Sequence, residues 1–156
     1  MKHYPAPWDK TLILMSVFAT VVCLAGAFTI FKYGGQPREV GWLIVALIPG
    51  SALFTVRGYT ITPEAILMQR LLWATRLPRA GLQSVEFVPD AMRRSIRTCG
   101  NGGFFSFTGF YRNKTLGAYR AYVTDRHQTV VLRYPERTVV VSPASPEEFA
   151  RELAVT

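Results

Sequence analysis

The sequence predicts a transmembrane helix hairpin at the N-terminus, followed by one small, mainly β domain closed by a C-terminal helix. Three observations carry this expectation. An uncharged apolar run extends from Thr11 to Phe31, and a second from Val40 to Val56. The residues after Val56 break into short alternating segments separated by Pro, Gly and Asx turns. The chain has 156 residues, 49% of them hydrophobic and 18% charged, with a net charge of +8. That apolar content excludes a disordered chain. Two cysteines, Cys23 and Cys99, exclude a disulfide-stapled mini-protein, and the length leaves no room for a large multidomain enzyme.

Residues 1–10 read as an N-terminal tail. Thr11–Phe31 lacks Asp, Glu, Lys, Arg, His, Asn and Gln over 21 residues. As a helix it reaches ~31 Å, about one hydrocarbon core. Lys10 and Lys32 bracket it, and Trp8 and Tyr33 stand where an interfacial aromatic belt belongs. Val40–Val56 is shorter, ~25 Å, and contains Pro49, so it suits a minimal span extended by its flanks. Between the runs, Gly34-Gly35 and Pro37 turn the chain, making 11–56 two antiparallel helices. Ala19, Cys23 and Ala27 on one helix, with Ala46 and Gly50 on the other, permit close approach.

A secretory signal is the competing reading, with Lys2 and Lys10 ahead of an apolar stretch and Ala25-Gly26-Ala27 resembling a cleavage site. Continued apolarity to Phe31 and an acid, Asp9, in the lead weigh against it. Lys2, Lys10, Arg57, Arg70 and Arg76 flank one membrane face, and only Lys32 and Arg38 the other. The positive-inside rule then puts both termini and the β domain in the cytoplasm. That side depends on the second run crossing fully.

The β segments follow in order. Gly58–Thr62 alternates and stops at Pro63-Glu64. Ile66–Met68 begins the next strand. Leu71, Trp73, Thr75 and Leu77 continue at period two up to Pro78. Gln83–Val88, the aromatic run Phe104–Tyr111, Gly117–Thr124, Thr129–Tyr134 and Thr138–Ser142 complete about seven antiparallel strands in meander order, forming one strongly bent sheet. Gly100-Asn101-Gly102-Gly103 reads as a hairpin loop built on Asn101-Gly102. Ser145-Pro146-Glu147-Glu148 is a helix start, with Ser145 as N-cap. The helix, 146–154, buries Phe149 over the open end of the sheet.

Residues 57–156 hold fourteen basic and eight acidic groups, a net +6, and all but Lys114 of the basic ones are Arg. These are spaced instead of blocked, so a solvated surface is their first reading. No catalytic set emerges. His3 and His127 lie in a tail and a turn without an evident partner, and the cysteines lack zinc spacing. The glycine-rich stretch lacks Gly-Lys-Ser/Thr and is no phosphate loop. No cofactor, metal or catalytic residue is expected. Arg93, Arg94, Arg97, Arg112 and Lys114 do interleave with aromatics, but a sheet needs those aromatics for its core, and a membrane tether removes most nucleic acid targets.

Residues 57–154 resemble the bacterial pleckstrin-homology-like (PH-like) domain carried by small membrane proteins. The resemblance rests on Tyr59-Thr60-Ile61-Thr62-Pro63-Glu64 and on Trp73…Arg76-Leu77-Pro78 with its turn Arg79-Ala80-Gly81-Leu82. It continues through the Arg97–Gly103 loop, Gly109-Phe110, Leu116-Gly117, Tyr122-Val123-Thr124 and Ser142-Pro143 leading to Pro146-Glu147-Glu148-Phe149. It implies a non-catalytic binding or scaffold module in the bacterial inner membrane, multi-pass, docking a protein partner or a second copy of itself. The alternative it allows is an anionic-lipid headgroup binder acting as a membrane organiser or sensor. Inositide-binding members carry bases around the first hairpin turn; here that turn is Thr62-Pro63-Glu64-Ala65, acidic, which argues against specific inositide recognition. Contact candidates are Arg93, Arg94, Arg97, Asn101, Arg112 and Lys114. Gly100, Gly102, Gly109, Gly117, Ser145 and Phe149 are assigned structural roles.

Overall fold

The computed structural model describes residues 1–34 and 37–154. Gly35 of the predicted interhelical turn and residues 155–156 of the predicted domain lie outside the described residues.

The chain opens with a strand, β1 (Lys2–Pro5), where the sequence predicts a tail. It pairs antiparallel with β2 (Gly58–Ile61), Lys2 opposite Ile61 and Pro5 opposite Gly58. Tyr4 is buried by that pairing, its ring edge-on to Phe149 at 5.2 Å. Helix α1 (Lys10–Tyr33) follows, capped at its start by the Asp9 carboxylate and ended by Gly34 in the left-handed region, φ 64°. At 24 residues it is long and apolar enough to cross a membrane.

Helix α2 (Arg38–Leu53) begins before the predicted Val40 and stops before Val56. Val56 is fully buried in the domain core, so the second apolar run ends as a core anchor and not as membrane helix. With 16 residues α2 reaches only ~24 Å. Among the described residues, one helix and not two therefore meets the length for a span. The end of α1 packs on the start of α2, Phe31 lying 5.3 Å from Trp42 between ring centres and against Gly41.

The β structure forms two sheets instead of one strongly bent one. The first runs β1-β2-β3-β4, with β3 (Ala65–Gln69) and β4 (Ala74–Pro78). Leu71 and Trp73, read from the sequence as strand, belong to the turn between them. Their apolar character mimics a strand pattern although neither joins a core cluster.

The second sheet contains β5 (Ser84–Phe87), β6 (Ile96–Gly102), β7 (Phe107–Asn113), β8 (Gly117–Val123), β9 (Val130–Arg133) and β10 (Thr138–Val141). Their order is β5-β9-β10-β8-β7-β6, so the expected meander is broken. β10 inserts between β9 and β8 and runs parallel to β8. Burial on both faces explains that central position: Val130-Val131-Leu132 and Val139-Val140-Val141 are all fully buried or nearly so.

Period-two alternation sends those side chains into two cores. Val130, Leu132, Val139, Val141 and Tyr122 meet the four-stranded sheet, where helix α3 (Pro146–Ala154) brings Phe149 and Leu153. Val131, Val140, Ala121 and Val123 face the other way, onto Ala91, Met92 and Leu12 of α1. The carbonyl of Ser145, the residue before that helix, accepts the Phe149 N–H at 2.9 Å, the first backbone bond of the helix.

Tyr59 joins the sheets through the first core. Its hydroxyl donates to the Tyr122 carbonyl at 2.5 Å and accepts the Ser142 N–H at 3.1 Å. Burial pushes the Tyr59 hydroxyl up to about 12, against a contrary pull from Ser142. An unfolded tyrosine titrates near ~10. The unfolded chain therefore sheds this proton first, and the stability carried by neutral Tyr59 is lost as pH rises from about 10 to about 12. Tyr59→Phe leaves two buried backbone groups unpaired and is expected to cost ~1–3 kcal/mol. Denaturant unfolding of detergent-solubilised protein checks this. The variant should also lose part of the wild-type decline above pH 10.

Candidate functional site: a basic end and an arginine cleft

Strand registers define two ends of the domain. At one end Pro5, Gly58, Gln69 and Ala74 align, as do Gly102, Phe107 and Val123. Both helices attach here. The Asp9 N–H donates to Thr124 O at 3.2 Å, and Ser16 Oγ of α1 accepts the Phe105 N–H at 2.9 Å. At the opposite end lie the turns after Ile61, Pro78, Asn113 and Arg133, and the segment entering β6. Tyr134 Oη, donating to Pro78 O at 3.0 Å, ties the two sheets there.

Two of the predicted contact residues, Arg112 and Lys114, lie at this opposite end, and two more, Arg93 and Arg94, on the turn that leads to it. Arg93 and Arg94 ride on the turn before β6, held by Arg93 N–H donating to Asp90 O at 2.8 Å and by Arg94 at φ 56°. Arg112 faces Ile96 across the β6–β7 pair, and Lys114 opens the β7–β8 turn. Asn113 draws these turns together: its Nδ2 donates to Ala91 O at 2.9 Å and Ser95 Oγ at 3.0 Å, and its Oδ1 accepts the Leu116 N–H at 2.7 Å. Tyr119 Oη donates to the same Ser95 Oγ at 2.6 Å. All four cations are exposed, and among the described residues none makes an ion pair.

Arg97 and Asn101 are not part of that group. Arg97 lies back along β6, its Nη1 2.5 Å from where a Cβ on Gly102 would stand, so Gly102 makes room for the guanidinium. It lines a cleft of ~720 Å3 against Leu43, Leu47 and Phe54. Asn101 has its side chain committed to the turn. Its Nδ2 donates to Phe104 O and its Oδ1 accepts the Phe104 N–H at 2.9 Å. The hairpin loop is accordingly Gly103–Ser106, closed by Gly103 N–H to Ser106 O at 3.1 Å, while Asn101-Gly102 belongs to β6. The sequence misplaces the loop because an Asn-Gly pair serves equally well where a side chain closes a turn beyond it.

Gly100 and Gly109 face each other where the two backbones cross. A Cβ on Gly109 would stand 2.2 Å from Cys99 O, and one on Gly100 2.4 Å from Thr108 O. Gly117, at φ 69°, ends the β7–β8 turn.

A second arginine group, Arg76 with Arg120 and Arg137, of which the sequence singles out only Arg76, lines a ~360 Å3 cleft between β4 and the β8–β10 pair. Arg120 lies over the rings of Tyr122 at 5.2 Å and Phe110 at 5.3 Å, and Arg137 over Tyr134 at 5.2 Å. Arg76 pairs with Glu64 at 2.6 Å, which neutralises the acid of the first hairpin turn. The signal for Arg120 was its place two residues before Tyr122 on a strand, which puts both on one face. Both histidines acquire partners: His127 Nδ1 lies 2.8 Å from Asp90 Oδ1 and His3 Nδ1 3.2 Å from Thr60 Oγ1. Among the described residues no cluster of three or more His, Cys, Asp or Glu is disposed to hold a metal.

The family model of the bacterial PH domain matches residues 57–156. The chain belongs to that family. No curated protein and no solved structure matches the chain. Bacterial PH domains are interaction modules, and the fold here offers a basic end and an arginine cleft in place of a basic first turn. In this PH domain the first turn, with Pro63-Glu64, lies at the end away from the helices.

Gly109→Ala is expected to destabilise the protein by ~2–4 kcal/mol, since backbone and not a flexible side chain opposes the new Cβ. Gly26→Ala, with nothing within 4 Å, is the neutral control. Thermal unfolding midpoints of the two variants in detergent decide this.

Proposed function

We propose that this bacterial PH domain is a membrane-anchored, non-catalytic interaction module that turns its basic end away from the bilayer towards an acidic protein partner. The observation that carries the reading is the position of Arg93, Arg94, Arg112 and Lys114. Arg112 and Lys114 lie five and seven residues beyond Phe107, and five extended residues reach ~16 Å. Arg93 and Arg94 ride on the turn that runs from Asp90, bonded to His127, to Ser95, bonded to Asn113. The Debye length at physiological salt is ~8 Å, so headgroups of the protein's own membrane scarcely reach Arg112 and Lys114. Lipid contact is left to the helix-bearing end, where Arg97 borders α2.

The pairing of β1 with β2 supports the topology. If α1 crosses, residues 2–5 and 58–61 remain in one sheet and therefore in one compartment. The chain must return between them, and α2 with its flanks is the segment available. Lys32, Arg38 and Glu39 lie at the remote tip, and three charges are costly in hydrocarbon, which favours a tip that emerges into water. Leu12 and Ser16 are buried against the domain, leaving about 17 residues of α1, ~25 Å, close to the reach of α2. A helix pair of that height suits a locally thinned bilayer. The bias in flanking Lys and Arg favours a cytoplasmic domain in the inner membrane.

Two experiments test the reading. In a Cys23→Ser/Cys99→Ser background, Lys32→Cys and Lys114→Cys should label from opposite sides of the membrane; labelling from one side overturns the topology. A photo-crosslinker replacing Arg93 or Arg94 should yield a discrete protein adduct in native membranes, reduced several-fold by Arg112→Glu. A lipid adduct instead overturns the outward-facing role.

A further inference from the structure

The turn between β3 and β4 is Arg70-Leu71-Leu72-Trp73, closed by Arg70 N–H donating to Trp73 O at 2.9 Å. Tight turns select Gly, Asn, Asp, Pro and Ser, which supply left-handed backbone, fixed dihedrals or local hydrogen bonds. Leucine supplies none of these. Yet Leu72 is 73% exposed, Leu71 48% and Trp73 40%, and none belongs to either core. Two leucines and a tryptophan side by side in water form a patch that asks for an apolar partner.

Its surroundings identify that partner. Phe54, the residue on which α2 ends and itself 49% exposed, meets Trp73 edge-on at 5.1 Å. The patch is thus continuous with the apolar helix pair at the point where the chain passes into the domain. The Arg70 guanidinium lies 5.5 Å over the Phe54 ring and 5.6 Å over those of Trp73 and Tyr122, and its Nε is buried without a hydrogen-bond partner. Burial, with Arg120 adding to it and Tyr122 opposing, draws Arg70 below its ordinary range. At the start of α1, on the same end of the sheets, Trp8 lies 6.1 Å from Phe105. Tryptophans and an arginine stacked on aromatic rings beside exposed leucines match a membrane–water boundary.

We propose that the Leu71–Trp73 tip is a second membrane contact, entering the apolar side of the interface beside α2 and fixing the tilt of the PH domain on the bilayer. This rests on the membrane anchoring proposed above. The occupant is the bilayer and not a protein, because the patch adjoins the helices at their emergence and carries interfacial residue types.

The test uses the full chain in liposomes, in the Cys23→Ser/Cys99→Ser background, with a nitroxide at Leu72→Cys. Labels at Phe28→Cys in α1 and Lys114→Cys at the far end are the references. The Leu72 label should collide with oxygen several-fold more than with a water-soluble nickel chelate, as at Phe28, while Lys114 shows the reverse. A water-like Leu72 beside a lipid-like Phe28 overturns the tip contact and leaves the anchoring intact. A Leu72 label shielded from both reagents means protein covers the tip, and overturns it too. A water-like Phe28 defeats the anchoring itself, and the tip contact with it. Since Leu72 packs in neither core, its replacement should leave the unfolding midpoint unchanged.

Discussion

Asp9 joins the helical and β parts of this protein into one frame. Its carboxylate accepts the Leu12 N–H at the open end of α1 and the Arg126 N–H at 3.3 Å from the loop after β8. Its own N–H donates to Thr124 O at 3.2 Å. A buried carboxylate is costly to desolvate, and here backbone donors and the positive end of the helix dipole offset that cost. The result is directional. With Leu12 in the second core and Ser16 bound to Gly103 O and the Phe105 N–H, α1 leaves the domain along a line set by the sheet. The two ends of the domain, one bearing helices and aromatics and the other bearing cations, take their meaning from that line.

Much of this was legible in the sequence, and the exceptions share a cause. The apolar run of α1, the terminal helix with its buried Phe149, and most of the strands follow from local periodicity. β1 does not, because Lys-His-Tyr-Pro becomes a strand only through a partner more than fifty residues away. The insertion of β10 beside β8 is likewise a long-range choice, although the unbroken Val-Val-Val run hinted at a strand buried on both faces. Leu71 and Trp73 misled because alternation records hydrophobicity and not the surface that will cover it. Arg93, Arg94, Arg112 and Lys114 were singled out by charge and turn position, and all four are exposed. The Asn101 amide is engaged by a turn that the sequence does not reveal, and Arg120 and Arg137 were passed over because cations spaced evenly along a chain are gathered only by folding.

The two cores divide the work of the six-stranded sheet. Its inner face meets β1–β4 and α3, with Tyr59 as the polar link. Its outer face is covered by little more than Ala91, Met92 and the first turn of α1. Helix α1 is therefore a structural part of the β domain. The knot of Asn113, Ser95 and Tyr119 does for the cationic end what Asp9 does for the helical end, replacing loose turns with a fixed surface.

The pairing of β1 with β2 also imposes an order on synthesis. Lys2–Pro5 leaves the ribosome before either helix, yet its partner lies beyond both. Until Gly58–Ile61 emerges, β1 has nothing to pair with, and until α1 and α2 have found their places, β2 presents an open sheet edge. Residues made before both helices are thus placed after them. A strand that closes only across a finished helix pair makes the completed sheet a record that the pair has formed.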